Sequence, residues 1–161
     1  MESALANKLA TLQVADIMTH KVVTVAVNNT MSEAADVFFE HQITGAPVVD
    51  ELGHCVGVLS ATDFVHSKAE ELDGRERVGH FLCSHHPSGL YSIDEVRHDL
   101  VRSHMSPAVQ TMEQSTSLLT AARCMCEEHV HRLIVIDING TPVGILTSLD
   151  LIAAMASAVE D

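Results

Sequence analysis

The chain contains the same unit twice. Val14 to Val65 aligns with Val101 to Ile152 at a constant offset and without a gap. Identical pairs include Val14 and Val101, Met18 and Met105, Ala34 and Ala121, Glu40 and Glu127, Asp50 and Asp137, Gly57 and Gly144, and Asp63 and Asp150. Core positions, turn glycines and polar residues recur together, which identifies a duplicated supersecondary unit. One copy alone would leave the apolar faces of two helices and a small sheet in water. The copies must therefore pack on each other as one module, with the sheets against one another.

Each copy reads as strand, helix, strand, turn, strand, helix, an α/β (α+β) architecture. In the first copy a short strand over Val22 to Val25 precedes Thr30-Met31-Ser32-Glu33, a capping box that opens a helix ending near Gln42. Ala46 to Asp50 and Cys55 to Leu59 are apolar runs flanking a glycine-containing turn, so they predict a hairpin. The second copy repeats this with Leu133 to Asp137, Ile138-Asn139-Gly140 and Val143 to Thr147. Asn-Gly is a strong turn signal because both residues tolerate positive φ. A second helix is expected from near Ala61 and from near Ser148. The chain thus divides into an N-terminal helical segment (1–13), repeat one (14–65), a connector (66–100) and repeat two (101–161). A pseudo-twofold axis would create two equivalent clefts. The connector, with Asp73-Gly74 and Pro87-Ser88-Gly89, is expected to be helical at its start and is long for a structureless loop.

Composition narrows the partners. With 161 residues and 47% apolar content but no Trp and one Tyr, the chain must build its core from aliphatic side chains. A net charge of -13 with nine Lys and Arg argues against nucleic acid, which demands a clustered basic surface. An anionic small ligand needs only a local convergence of basic groups and N–H donors. Cys55, Cys83, Cys124 and Cys126 show no framework spacing, so reduced thiols and a cytoplasmic location are expected. No apolar run approaches the roughly 18 residues of a membrane span. Met1 to Leu12 carries Glu2 and Lys8 without a signal-peptide core, so no membrane partner is expected.

Gly57-Val58-Leu59-Ser60-Ala61-Thr62-Asp63 and Gly144-Ile145-Leu146-Thr147-Ser148-Leu149-Asp150 carry the chemistry. Each puts a hydroxyl residue where a strand ends and a helix begins, with a carboxylate three positions on. N–H groups at such a helix start can receive a phosphate, and the carboxylate can accept hydrogen bonds from both hydroxyls of a ribose. The glycine permits close approach of a ligand or of neighbouring chain. The same Ser/Thr-x-x-Asp spacing also makes a helix cap with no ligand present.

Together with Met18-Thr19 and Met105-Ser106, the Ala-Ala helices and the Val-Val-Asp and Val-Ile-Asp strands, these motifs resemble the CBS domain pair, or Bateman module. The resemblance implies a non-catalytic sensor that binds AMP, ADP, ATP or S-adenosylmethionine between its repeats and acts in trans on a target protein. It also implies a homodimer. A ligand-free dimerisation scaffold is the alternative. His129-Val130-His131-Arg132-Leu133-Ile134-Val135 looks like the His-Arg approach to the second strand in the gamma subunit of the AMP-activated kinase. That likeness makes His131 and Arg132 phosphate-side residues, Arg132 being suited to bidentate contacts. Against it stands a solvated strand-end arginine. The copies differ: repeat one has Ser60, Thr62 and Asp63 but Thr44 and Gly45 in place of the basic pair, and repeat two has Leu149 in place of Thr62. The implied complete site joins Ser60, Thr62 and Asp63 to His131 and Arg132, leaving Thr147 and Asp150 as the weaker cleft. For the adenine, the resemblance implies Val22, Val23, Thr24, Ala46 and Pro47.

No P-loop, nucleophile elbow, dinucleotide fingerprint or metalloprotease motif is present, so no catalytic residue is assigned. His80-Phe81-Leu82-Cys83-Ser84-His85-His86 lacks paired Cys-x-x-Cys spacing, and no metal or other cofactor is expected there. Leu5 to Leu12 and Ile152 to Val159 are apolar enough for a partner surface or for internal packing.

Overall fold

A computed structural model describes residues 11–72 and 99–160. Repeat one contains α1 (Val14–Ile17), β1 (Val25–Ala26), α2 (Met31–His41), β2 (Gly45–Val49), β3 (Cys55–Ser60) and α3 (Ala61–Leu72). Repeat two contains α4 (Val101–His104), β4 (Thr111–Glu113), α5 (Leu118–Glu127), β5 (Arg132–Ile136), β6 (Pro142–Thr147) and α6 (Ser148–Glu160). Each repeat has a three-stranded sheet, ordered β1-β2-β3 or β4-β5-β6, with its first pair parallel and its second antiparallel. The strand-helix-strand-strand-helix order read from the sequence is present in both copies.

Local chemistry sets the boundaries. The Thr30 hydroxyl accepts the Glu33 N–H at 3.2 Å, and the Glu33 carboxylate accepts the Thr30 N–H at 2.8 Å, closing the capping box that starts α2. Gln42 ends that helix in the left-handed region at φ 54°. Its counterpart His129 has the same φ just after α5. The hairpin turns are tied by aspartates: Asp50 Oδ1 accepts the N–H groups of Leu52 and His54, and Asp137 Oδ1 those of Asn139 and Thr141. Gly53 and Gly140 supply the positive φ these turns need, 85° and 80°.

One strand starts later than the sequence predicts. Val22 to Thr24 lie outside the ladder, and β1 holds only Val25 and Ala26. The reason is that the preceding chain belongs to the other repeat. Thr19 exchanges both backbone hydrogen bonds with Ile145 of β6, at 2.9 and 3.0 Å. Residues 20–24 then cross to repeat one, and pairing begins at Val25 with Val48. Repeat two mirrors this: Ser106 exchanges backbone hydrogen bonds with Val58 of β3, both at 2.9 Å.

The crossing exchanges core residues. Val14 and Met18 pack with Leu118, Ala121, Met125, Leu133, Val135 and Leu146 of repeat two. Val101 packs with Val25, Met31, Ala34, Phe38, Ala46, Val48 and Leu59 of repeat one. The sequence repeat and the packed unit therefore differ by their first turn of helix. A further link joins the two sheets, where the Cys55 N–H donates to the Gly140 carbonyl at 2.9 Å.

α3 covers the start of the connector, as expected. The remainder, including Cys83 and His80 to His86, lies outside the described residues, as does most of the N-terminal segment. Cys55, Cys124 and Cys126 are free thiols. No helix among the described residues is long and apolar enough to cross a membrane.

Candidate ligand-binding site

The two Ser/Thr-x-x-Asp motifs both close as helix caps. In repeat one, Asp63 Oδ2 accepts the Ser60 N–H at 2.6 Å and the Ser60 hydroxyl at 2.7 Å. The Ser60 and Thr62 hydroxyls are 2.7 Å apart. In repeat two, Asp150 Oδ2 accepts the Thr147 N–H at 2.7 Å and its hydroxyl at 2.6 Å. Each carboxylate thus spends one oxygen on its own helix and keeps the other for a second donor. Leu149, at the Thr62 position, is exposed and adds nothing to the cap.

Above each motif lies the crossing chain of the other repeat. The motif glycines make room for it. A Cβ at Gly144 would overlap the Met18 sulfur, and one at Gly57 would lie 2.6 Å from the Met105 sulfur and 3.0 Å from the Ser106 carbonyl. The close approach expected at these glycines is therefore made by chain of the opposite repeat.

This exchange decides which residues share a cleft. A cavity of about 260 Å³ opens where the repeats meet. Thr19, Lys21 and Val23 line it from the crossing chain, Gln42 to Gly45 from the loop before β2, and Arg132, Ile145 and Thr147 from repeat two. Thr147 is held in place by Asp150. Arg132 opens β5, pairs across the strand with Thr147, and extends its guanidinium toward Gly45, where a Cβ would lie 2.8 Å from Nη1. Thr44 and Gly45 stand where repeat two has His131 and Arg132, so the smaller pair in repeat one makes space for the arginine. One arginine reaches across the pseudo-twofold axis.

The predicted site residues fall in three places. Thr147, Arg132 and Val23 line the cavity together, with Asp150 behind Thr147. Ser60, Thr62 and Asp63 form the equivalent motif in repeat one, beneath the crossing Ser106 chain, and do not line this cavity. His131 is exposed, and its carbonyl accepts the Ser148 N–H at 3.1 Å. Val22 is half-buried and Thr24 exposed beside the cavity chain, whereas Ala46 and Pro47 are buried in β2. Thr19, Lys21, Gln42, Ile43 and Ile145 complete the lining without having been assigned to the site from the sequence. Their signal would have been the crossing itself, which no local pattern reveals. Among the described residues no cluster of His, Cys, Asp or Glu is arranged to hold a metal ion.

A duplicated α/β module, with exchanged first helices and a hydroxyl-carboxylate cap at the start of the last helix of each repeat, is the class this geometry defines. The chain belongs to the CBS domain family: the CBS domain model matches residues 14–70 and 96–157. It is a CBS domain pair, a regulatory and non-catalytic module. Over 132 residues it is 30% identical to the chloroplastic CBS domain-containing protein CBSX1 of Arabidopsis thaliana, covering 78% of this chain and 55% of that one. The chain spans about half the length of the curated relatives it matches. Among solved structures, CBSX2 in complex with AMP superposes with a TM-score of 0.68 at 26% identity, covering 92% of this chain and 98% of that one. The CBS domain pair of protein MJ0100, in complex with 5′-methylthioadenosine and S-adenosyl-L-methionine, gives a TM-score of 0.66 at 22% identity over 88% and 98% of the two chains.

Proposed function

We propose that the chain is a sensor of an adenine nucleotide or adenosyl ligand, AMP, ADP, ATP or S-adenosylmethionine, bound between the repeats. Occupancy would be relayed in trans to a target protein. The observation that carries this reading is the cavity built by both repeats, with Thr147, held from behind by Asp150, on one wall and Val23 and Thr44 on the other. The free oxygen of Asp150 suits ribose hydroxyls, and Val23, Ile43 and Ile145 offer apolar surface to a base. Ser60, Thr62 and Asp63, with His131, form the second seat. This ordering reverses the one read from the motifs alone, because Arg132 and the open volume lie on the Thr147 side.

A thermal-shift panel of the four ligands tests the proposal, since a ligand selective for the folded state raises apparent stability by mass action. At least one should raise Tm. Asp150→Ala should weaken its binding by about ten- to hundredfold, the value of hydrogen bonds to a charged group. That variant also loses about 1 kcal/mol of capping, so affinity is compared on protein shown to be folded. Absence of any shift would overturn the reading.

Exposed apolar side chains favour a second reading, the ligand-free scaffold. Val65 on α3 and Leu149, Ile152 and Met155 on α6 are 51–73% exposed, a surface suited to a second copy. Sedimentation showing a dimer, combined with no ligand response, would select it.

A further inference from the structure

We infer that the module is latched on one side only where its two hairpin turns meet, and that the repeats open from this end by pivoting about the crossing chains. The device goes beyond ligand binding and does not depend on it. The pseudo-twofold relation pairs Gly53 with Gly140, His54 with Thr141 and Cys55 with Pro142. Each link between the repeats should therefore occur twice, once in each direction. At the crossing end it does: Thr19 and Ile145 exchange two backbone hydrogen bonds, and Ser106 and Val58 exchange two more. At the hairpin end it does not. The Cys55 N–H donates to the Gly140 carbonyl, but the mate of Cys55 is Pro142, which has no N–H to offer Gly53. Among the described residues, the Cys55 bond is the one backbone hydrogen bond between the two turns.

The side chains carry the same imbalance. His54 sets its ring against the opposite turn, with Cδ2 3.9 Å from where a Cβ on Gly140 would stand, while its Nδ1 is 3.3 Å from Asp50 Oδ2. Thr141, in the matching place, has no ring to return the contact. Both hairpins are irregular close to this end, with register shifts between Val48 and Val49 and between Val135 and Ile136. A bulge of this kind interrupts the ladder and bends the strand. The two hydrophobic clusters share no residue, so no common core clamps the hairpin ends together. Two bodies joined by reciprocal bonds at one end and by a single bond at the other open at the weaker end, because local stability follows the bonds and buried contacts that opening breaks. Thr19 and Ile145 at the pivot line the cavity, and no residue of either hairpin turn does. Opening therefore separates the turn tips, with their exposed Leu52 and Ile138, and leaves the joint beside the cavity in place.

Native-state amide hydrogen exchange on the full chain, read by NMR as a protection factor for each residue, tests this. The Cys55 amide should be protected about tenfold less than those of Thr19, Val58, Ser106 and Ile145. Pro142→Ala supplies the missing N–H and should raise Cys55 protection about two- to tenfold relative to the four crossing amides. Tm should not rise with it, because loss of the proline frees the unfolded chain. His54→Thr, which installs the repeat-two residue, should lower Cys55 protection by a similar factor, and it decides the matter if Pro142→Ala does not fold. Cys55 protection equal to that of the crossing amides, or unmoved in the substituted proteins that fold, would overturn the one-sided latch.

Discussion

Gly144 has a neighbour that leaves no space for a side chain. Met18, whose sulfur a Cβ at Gly144 would overlap, is only 5% exposed within the repeat-two core, so the thioether cannot swing freely into solvent. Gly144→Ala should therefore destabilise the protein by about 1–3 kcal/mol, the usual cost of overpacking. Gly57→Ala should do likewise, because it meets the Ser106 carbonyl as well as Met105. Urea denaturation measures both. A double-mutant cycle of Gly144→Ala with Met18→Ala should show coupling, and strict additivity would contradict the proposed contact. The need for glycine at these positions was legible in the motif. Its partner was not, because the repeat alignment does not reveal that Met18 lies over the other copy. Cys55 follows from packing too: burial raises its thiol pKa above the ordinary value, against a weaker opposing effect of a hydrogen bond with the Gly57 backbone.

At the scale of elements, the two hairpin turns are held by carboxylates that must stay ionised. The backbone N–H of His54, followed by that of Leu52 and the charge of His54, lowers the Asp50 pKa. The backbone N–H of Thr141, followed by that of Asn139, lowers the Asp137 pKa. The Thr30 N–H similarly lowers Glu33 in the α2 cap. A depressed folded-state pKa means that stabilisation is present above the unfolded value and is lost as pH falls through the folded one. The loss should thus begin below about pH 4, near the unperturbed carboxylate range. Asp137→Asn should lower Tm at neutral pH and flatten the decline of Tm under acid. An unchanged acid limb in both Asp137→Asn and Asp50→Asn would contradict this. These elements were readable because their chemistry is local: Asn139-Gly140 and Thr30-x-x-Glu33 carry their own geometry. β1 was displaced because its start depends on where a crossing chain reaches its partner, and a long-range event of that kind leaves no period in the sequence.

Across the whole molecule, the exchange of first helices makes the repeats thermodynamically inseparable. Repeat two buries Val14 and Met18, which precede repeat one in sequence, and repeat one buries Val101. Burial of such side chains is worth about 1.5–3 kcal/mol each, set against a total domain stability of about 5–15 kcal/mol. A unit of this size also buries too little surface to spare its largest contributors. The segment that carries Val14 and Met18 continues through Thr19 into Lys21 and Val23, so the chain that completes one core also lines the cavity. Ligand binding and repeat docking are consequently coupled through one stretch of backbone. Fragments 1–72 and 73–161, produced separately, should each lack a cooperative unfolding transition, because each carries the other's missing helix. Mixed in equal amounts they should recover a single transition, and a ligand of the cavity should raise its midpoint and tighten the association, since neither fragment alone holds both walls. Circular dichroism melts of each fragment and of the mixture, with and without AMP, measure this. Cooperative unfolding of 73–161 alone at the Tm of the intact chain would show that Val14 and Met18 are dispensable to the repeat-two core and that the exchange does not bind the halves together.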